Sequence, residues 1–299
     1  MPSLNEIRDE IHAEKDADYD GVRHKYLQEL SRHTGRNVIA YYSGWLNNPD
    51  YAETAINDID KNSFMATIYN LDRSKGLDLI LHTPGGQISA TESIVNYLHS
   101  MFDGDIRAII PQIAMSAGTM IACSCNSIIM GKHSNLGPID PQFGGLPAGA
   151  VIEEFEEALK QIKKDPDTVP LWQTIIGKYH PTFLGECEKA ISWSDEIVKD
   201  WLVSCMLKDK DNKENIADTI VSGLSNHSET KTHSRHIHME QCKDLGLHII
   251  DLEDDQVLQD LVLSVHHSYM VAFSDISGIM KIVENQNEIR NIQRQNIPQ

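Results

Sequence analysis

Two short breakers in this 299-residue chain carry side chains and amides suited to acyl transfer. The first, His82-Thr83-Pro84-Gly85-Gly86-Gln87, follows the run from Leu77 to Leu81, apolar but for Asp78. The second, Ala114-Met115-Ser116-Ala117-Gly118-Thr119, follows the run IRAII that ends at Ile110. Paired glycines after a buried strand let main-chain N–H groups turn outward and approach a ligand closely. A serine where a strand turns into a helix gains the positive end of the helix dipole, which favours negative charge developing nearby. Ser116 is therefore the candidate nucleophile, and the amides of Gly86 and Ala117 are the candidate oxyanion hole. Each breaker also has a plainer reading: a serine before a helix serves as an N-cap, and Gly-Gly after a strand serves as a turn. Both lie at the carboxyl ends of strands, where open α/β sheets build their sites, and that placement favours catalysis.

A serine hydroxyl is a weak nucleophile until a base takes its proton. The candidates are His233 in Lys231-Thr232-His233-Ser234, its neighbours His236 and His238, His180 in Tyr179-His180-Pro181, and His133. Lys132 is a separate possibility, since a lysine acts as a base when burial lowers its pKa. The spacing His233-x-x-His236-x-His238 also invites a zinc reading. No cysteine or carboxylate stands at a companion spacing, so no metal is expected. No G-x-G-x-x-G follows a strand, so no nicotinamide cofactor is expected either. Asp140, in Pro138-Ile139-Asp140-Pro141, reads locally as a turn residue beside proline.

The elements that must position these groups alternate at βαβ spacing. NVIAYYS (Asn37 to Ser43), Leu77 to Leu81, Ile106 to Ile110 and Ser127 to Met130 read as strands. Between them, Asp58 to Asp72 places Phe64, Ile68 and Leu71 at helical spacing, and Ile94, Leu98 and Met101 share one face of the next helix. Ser116 to Cys125 reads as a third helix. This pattern predicts a mostly parallel sheet covered on both faces. The uncharged run Ala108 to Gly131 is long enough for a membrane span, but its Pro111, Gln112, Ser116, Gly118 and Asn126 favour strand–turn–helix–strand in a core. VIEEFEEALKQIKK is an amphipathic helix with acids early and lysines late. QVLQDLVLSVHHSYMVAF reads as a packing helix that ends the fold, and ENQNEIRNIQRQNIPQ as a tail frayed or held by a partner. The expected organisation is a helical segment over residues 1–35, an α/β core over 36–149, and a mostly helical extension over 150–299 that completes the fold.

Forty per cent apolar and 23% charged residues describe a globular chain. The net charge of −18 argues against nucleic-acid binding, which needs a basic footprint, and against docking on anionic lipid. The polar opening MPSLNEIRDE lacks an apolar signal core, and five cysteines without metal-like spacing suggest free thiols. The expectation is a cytoplasmic protein without stable membrane insertion.

LDLILHTPGGQISATESIVNYL, followed by IRAIIPQIAMSAGTMIACSCNSIIMGKHSNLGPIDPQFGG, closely resembles the serine dehydrogenase proteinase family. That family is a branch of the Clp-protease/crotonase superfamily and kin to the signal-peptide peptidases. The strong resemblance covers roughly residues 35–145 and includes NVIAYYSGW. It implies a Clp-protease/crotonase-like spiral of ββα units, an oxyanion hole at the Gly-Gly turn, a catalytic serine at Ser116 and assembly into homo-oligomeric rings. The family order of Ser, Asp and His makes Asp140 the orienting acid, where Clp proteases carry histidine, and His233 most resembles the downstream histidine. His133 precedes Asp140 and breaks that order, while the related signal-peptide peptidases use a Ser–Lys pair, which keeps Lys132 open. The implied activity is hydrolysis of peptide or protein substrates without a cofactor. A crotonase-like thioester reaction and a catalytically inactive scaffold are the alternatives.

Overall fold

The computed structural model describes residues 2–13, 16–225 and 232–295. Lys231 and the last four residues of the polar tail lie outside them. The strands are β1 (Asn37–Ser43), β2 (Leu77–His82), β3 (Ile106–Ile110), β4 (Ile113–Ala114), β5 (Ser127–Met130), β6 (Asn135–Leu136), β7 (Gln142–Phe143), β8 (Leu146–Pro147), β9 (Ile237–His238), β10 (Ile249–Asp251), β11 (Ile279–Asn285) and β12 (Arg290–Arg294). Seven of them form a central sheet in the order β10-β5-β3-β2-β1-β11-β12. From β10 to β1 every pairing is parallel, and β11 and β12 close the edge antiparallel.

Every residue of β1, β2 and β5 is buried, as strands covered on both faces require. Alternate residues of β1 supply two cores. Ile39 and Tyr41 pack with α3 (Ile59–Ile68), α4 (Ile88–Phe102) and α5 (Ala117–Cys123), while Val38, Ala40 and Tyr42 face α2 (Tyr19–Thr34) and the helix Gln256–Asp275. All seven residues of α5 are buried, so the long uncharged run is indeed strand, turn, helix and strand inside the core. No helix among the described residues is long and apolar enough to cross a membrane. After Pro147 the chain forms an arm of α6 (Ala148–Lys164), α7 (Val169–Ile176) and α8 (Phe183–Trp201) with its own small core of Ala148, Val151, Phe183 and Cys187. The carboxyl half of α8 rejoins the main core through Ile197, Val198 and Trp201 beside α9 (Lys213–Ser225).

The chain's end departs from expectation. The helix Gln256–Asp275 does not end the fold, and most of the polar tail is not frayed: β11 and β12 form a hairpin on the sheet edge. All seven residues of β11 are buried, Lys281, Glu284 and Asn285 included. They are tolerated there because each has a partner: Asp60 for Lys281, Arg23 and His24 for Glu284, and the Thr67 carbonyl for Asn285.

Candidate active site

Ser116 stands between β4 and α5 with φ 51° and ψ −117°. That is a sparsely populated conformation for a residue with a Cβ, of the kind that clusters at functional turns. Its side chain makes no cap bond to the helix, so the N-cap explanation fails at this serine. Two neighbours hold the turn. The Met115 amide donates to the Thr83 carbonyl at 3.0 Å, and the Gly118 amide donates to the Met115 carbonyl at 2.7 Å. The Ala117 amide is the first of α5 and has no carbonyl within the helix to reach.

The Gly85-Gly86 turn lies against this elbow. Gly85 has φ 97°, and a Cβ there would stand 2.6 Å from the Ser116 Cβ, so only glycine permits the approach. Gly86 forms a parallel bridge with Ile56. Ile56 donates to the Gly85 carbonyl at 2.8 Å and accepts from the Gln87 amide at 2.9 Å. That pattern uses both main-chain groups of Ile56 and leaves the Gly86 amide outside the bridge, free to face the cavity.

Asp140 is 1% exposed, and its Oδ1 lies 2.8 Å from the His233 Nδ1. The two residues are 93 apart in the chain. The antiparallel pairing of β6 with β9, Leu136 opposite Ile237, brings the two segments together, and beyond the paired residues the side-chain bond joins Asp140 to His233. The segment bearing Asp140 is itself pinned, since the Ile139 amide donates to the Leu224 carbonyl and the Ser194 hydroxyl donates to the Ile139 carbonyl. A carboxylate on Nδ1 orients the imidazole and leaves Nε2 to accept a proton.

Ser116, Gly86 and His233 line one cavity of about 820 Å³, walled on its apolar side by Met120, Phe143 and Trp193. The other candidate bases do not line it. Lys132 is exposed on the turn after β5, with its amide on Glu253, and His133 is exposed beside it. His180 is exposed on the turn between α7 and α8, its ring 5.1 Å from that of Phe183. His238 opens the helix Met239–Leu245 by donating its amide to Gln241, and His236 is exposed. Among the described residues, no group of three or more His, Cys, Asp or Glu side chains could hold a metal ion. His82, in the first breaker, points to the opposite face of the sheet. There burial pulls its pKa down to about 4, against a hydrogen bond to Gln112.

The segment Glu53–Asn57, which lines the cavity and brackets Gly86, went unnoticed in the sequence. Its only local signal is Asn57-Asp58 before a helix, a common turn pair. Its importance comes from the bridge to Gly86, a contact between residues 30 apart.

Comparisons with known proteins give the family of the chain. The family model of the ClpP-like SDH-type serine proteinases matches residues 14–275. Two uncharacterized proteins of Methanocaldococcus jannaschii are similar. MJ0137 is 32% identical over 76% of this chain and 73% of its own length, and MJ1495 is 29% identical over 76% and 71%. No solved structure matches the chain. With 262 of its residues matched by one family model, the chain belongs to the ClpP-like SDH-type serine proteinase family.

Proposed function

We propose that this protein is a serine peptidase in which Ser116, His233 and Asp140 act as a triad and the Gly86 and Ala117 amides form the oxyanion hole. The observation that carries the reading is the 2.8 Å bond from Asp140 to His233, with His233 and Ser116 on one cavity. The Ser116 Oγ attacks the scissile carbonyl while the His233 Nε2 takes its proton, and Asp140 stabilises the imidazolium. The tetrahedral oxyanion accepts from the two amides, each worth roughly 2.7–4 kcal/mol in the transition state. His233 then protonates the leaving amine, and water repeats the sequence on the acyl-enzyme.

On this reading residues 36–149 carry the nucleophile and oxyanion donors as a spiral of ββα units. The chain after residue 150 supplies the base and completes the fold. Five free, buried cysteines support a reducing, cytoplasmic setting. Leu159 and Leu171 on the arm and Leu146 just before it, each at least 50% exposed, support assembly of copies into a homo-oligomer.

The test is labelling by a fluorophosphonate. The wild type incorporates one probe per chain at Ser116, and Ser116→Ala incorporates none. Wild type left unlabelled in every assembly state would sink the reading. Turnover of a coenzyme A thioester that survives Ser116→Ala would replace it with crotonase-like chemistry, which uses the same two amides and no serine.

A further inference from the structure

We infer that the buried Lys281–Asp60 pair, carried in part by the carboxyl-terminal hairpin, is a positioning device for the oxyanion turn. The inference rests on the peptidase reading for its catalytic consequence, but its structural part stands on separate contacts.

Lys281 and Asp60 are both fully buried. The Lys281 Nζ donates to both Asp60 oxygens, at 2.9 and 2.8 Å. Asp60 also accepts from the Tyr41 hydroxyl at 3.0 Å, from the Gln293 amide nitrogen at 2.8 Å and from the backbone amide of Asn57 at 3.0 Å. The last bond matters most, because Asn57 follows Ile56, and Ile56 spends both its main-chain groups on Gly85 and Gln87. A second tether holds the other side of Ile56: the Ser43 hydroxyl donates to the Thr54 carbonyl at 2.7 Å, and Ser43 pairs with Lys281 across β1 and β11.

The contact between Ile56 and Gly86 leaves no slack. A Cβ placed on Gly86 would come within 2.3–2.7 Å of three main-chain atoms of Ile56. A shift of Ile56 therefore moves the Gly86 amide. The route runs from Lys281 and Gln293 through Asp60 to Asn57, and from its neighbour Ile56 to the donor at Gly86. Both Lys281 and Gln293 lie beyond the stretch matched by the family model, which ends at residue 275. The hairpin thus supplies a brace to the oxyanion turn from outside the matched stretch.

A buried ion pair is often replaceable by neutral side chains without loss of stability, so folding and positioning can be separated by experiment. Lys281→Met combined with Asp60→Asn removes both charges at similar volume. The expected result is a folded double variant in which the covalent step of fluorophosphonate labelling slows by about 10- to 100-fold. Reversible probe affinity stays near that of wild type. Hydrogen exchange, read by mass spectrometry, speeds up in peptides spanning residues 52–58 and 84–89. A purely structural pair would lower the melting temperature and leave both readouts unchanged.

A folded double variant that labels and exchanges like wild type overturns the inference. If the double variant does not fold, Gln293→Leu removes a single donor to Asp60 and is judged by the same two readouts. If wild type itself is never labelled, the peptidase reading falls, and the exchange measurement alone decides whether Asp60 holds the turn.

Discussion

The two halves of the candidate site are built in opposite ways. The nucleophile and oxyanion half comes from adjoining strand ends: β2 leads into Gly85-Gly86, and β4 leads into Ser116, with a bridge between Thr83 and Ala114 joining them. Its turn residues are locked by backbone bonds and by an approach that only glycine allows at Gly85. The proton-transfer half joins residues 93 apart through a two-residue strand pair and one side-chain bond, with His233 still 23% exposed. Donors aimed at a developing charge must be rigid before the reaction begins. A base needs only the right tautomer and reach, and such contacts tighten when substrate binds.

Three substitutions test that contrast. The largest effect belongs to the half that carries Asp140. Asp140→Asn retains the shape of a buried side chain but removes the carboxylate from Nδ1, and peptide hydrolysis or labelling should fall by about 10,000-fold. Its melting temperature should stay close to wild type, and near-normal rates in this variant would remove Asp140 from the mechanism. In the rigid half, Gly86→Ala drives a methyl group into Ile56, 2.3 Å from its carbonyl oxygen. The loop must shift, so the covalent step should slow by about 100-fold with probe affinity little changed. Equal losses in both would instead indicate a blocked cavity.

The smallest effect is on stability and arises where the rigid half is rooted. His82 ends β2 just before the Gly-Gly turn, fully buried against Trp45 and Tyr42. Burial lowers its folded pKa from 6.5 to about 4, so between those values the unfolded chain binds more protons than the folded one. Stability contributed by neutral His82 is therefore present above the unfolded pKa and declines as pH falls toward the folded value. Unfolding in urea at about pH 7 and about pH 5 should show wild type losing about 2 kcal/mol more than His82→Asn. Asp195 has the opposite sign, since burial raises its pKa to about 6, and it cancels in the comparison because both proteins contain it. Equal losses would mean that His82 is protonated within the fold.

The hairpin at the chain's end shows why some elements escape a reading of pattern alone. In IMKIVEN, Lys281, Glu284 and Asn285 break the apolar run expected of a buried strand, yet every position of β11 is buried. Their partners lie between 218 and 261 residues away, at Thr67, Asp60 and Arg23. β12 follows with a partly exposed edge pattern, and edge strands carry polar residues for good reason. The core strands are less disguised: Leu77 to Leu81, Ile106 to Ile110 and Ser127 to Met130 each hold one polar residue (Asp78, Arg107 and Ser127) in an otherwise apolar run bounded by turn residues, and each is a strand of the sheet.

Local chemistry was enough to place Ser116 at a strand-to-helix turn and to set Gly85-Gly86 at a neighbouring strand end. Both features depend on residue type over a few positions: a missing Cβ, a breaker, an apolar run. Local chemistry also left the base open among His233, His236, His238, His180, His133 and Lys132, because a single imidazole or ammonium looks the same wherever it falls. The pairing of β6 with β9 brings the two segments together in space, and there the His233 ring meets the Asp140 carboxylate. The pairing of Ile56 with Gly86, and of Lys281 with Asp60, was likewise decided by strand order and burial. Contacts between distant residues depend on how strands align in space, and that alignment arises only when the whole core packs.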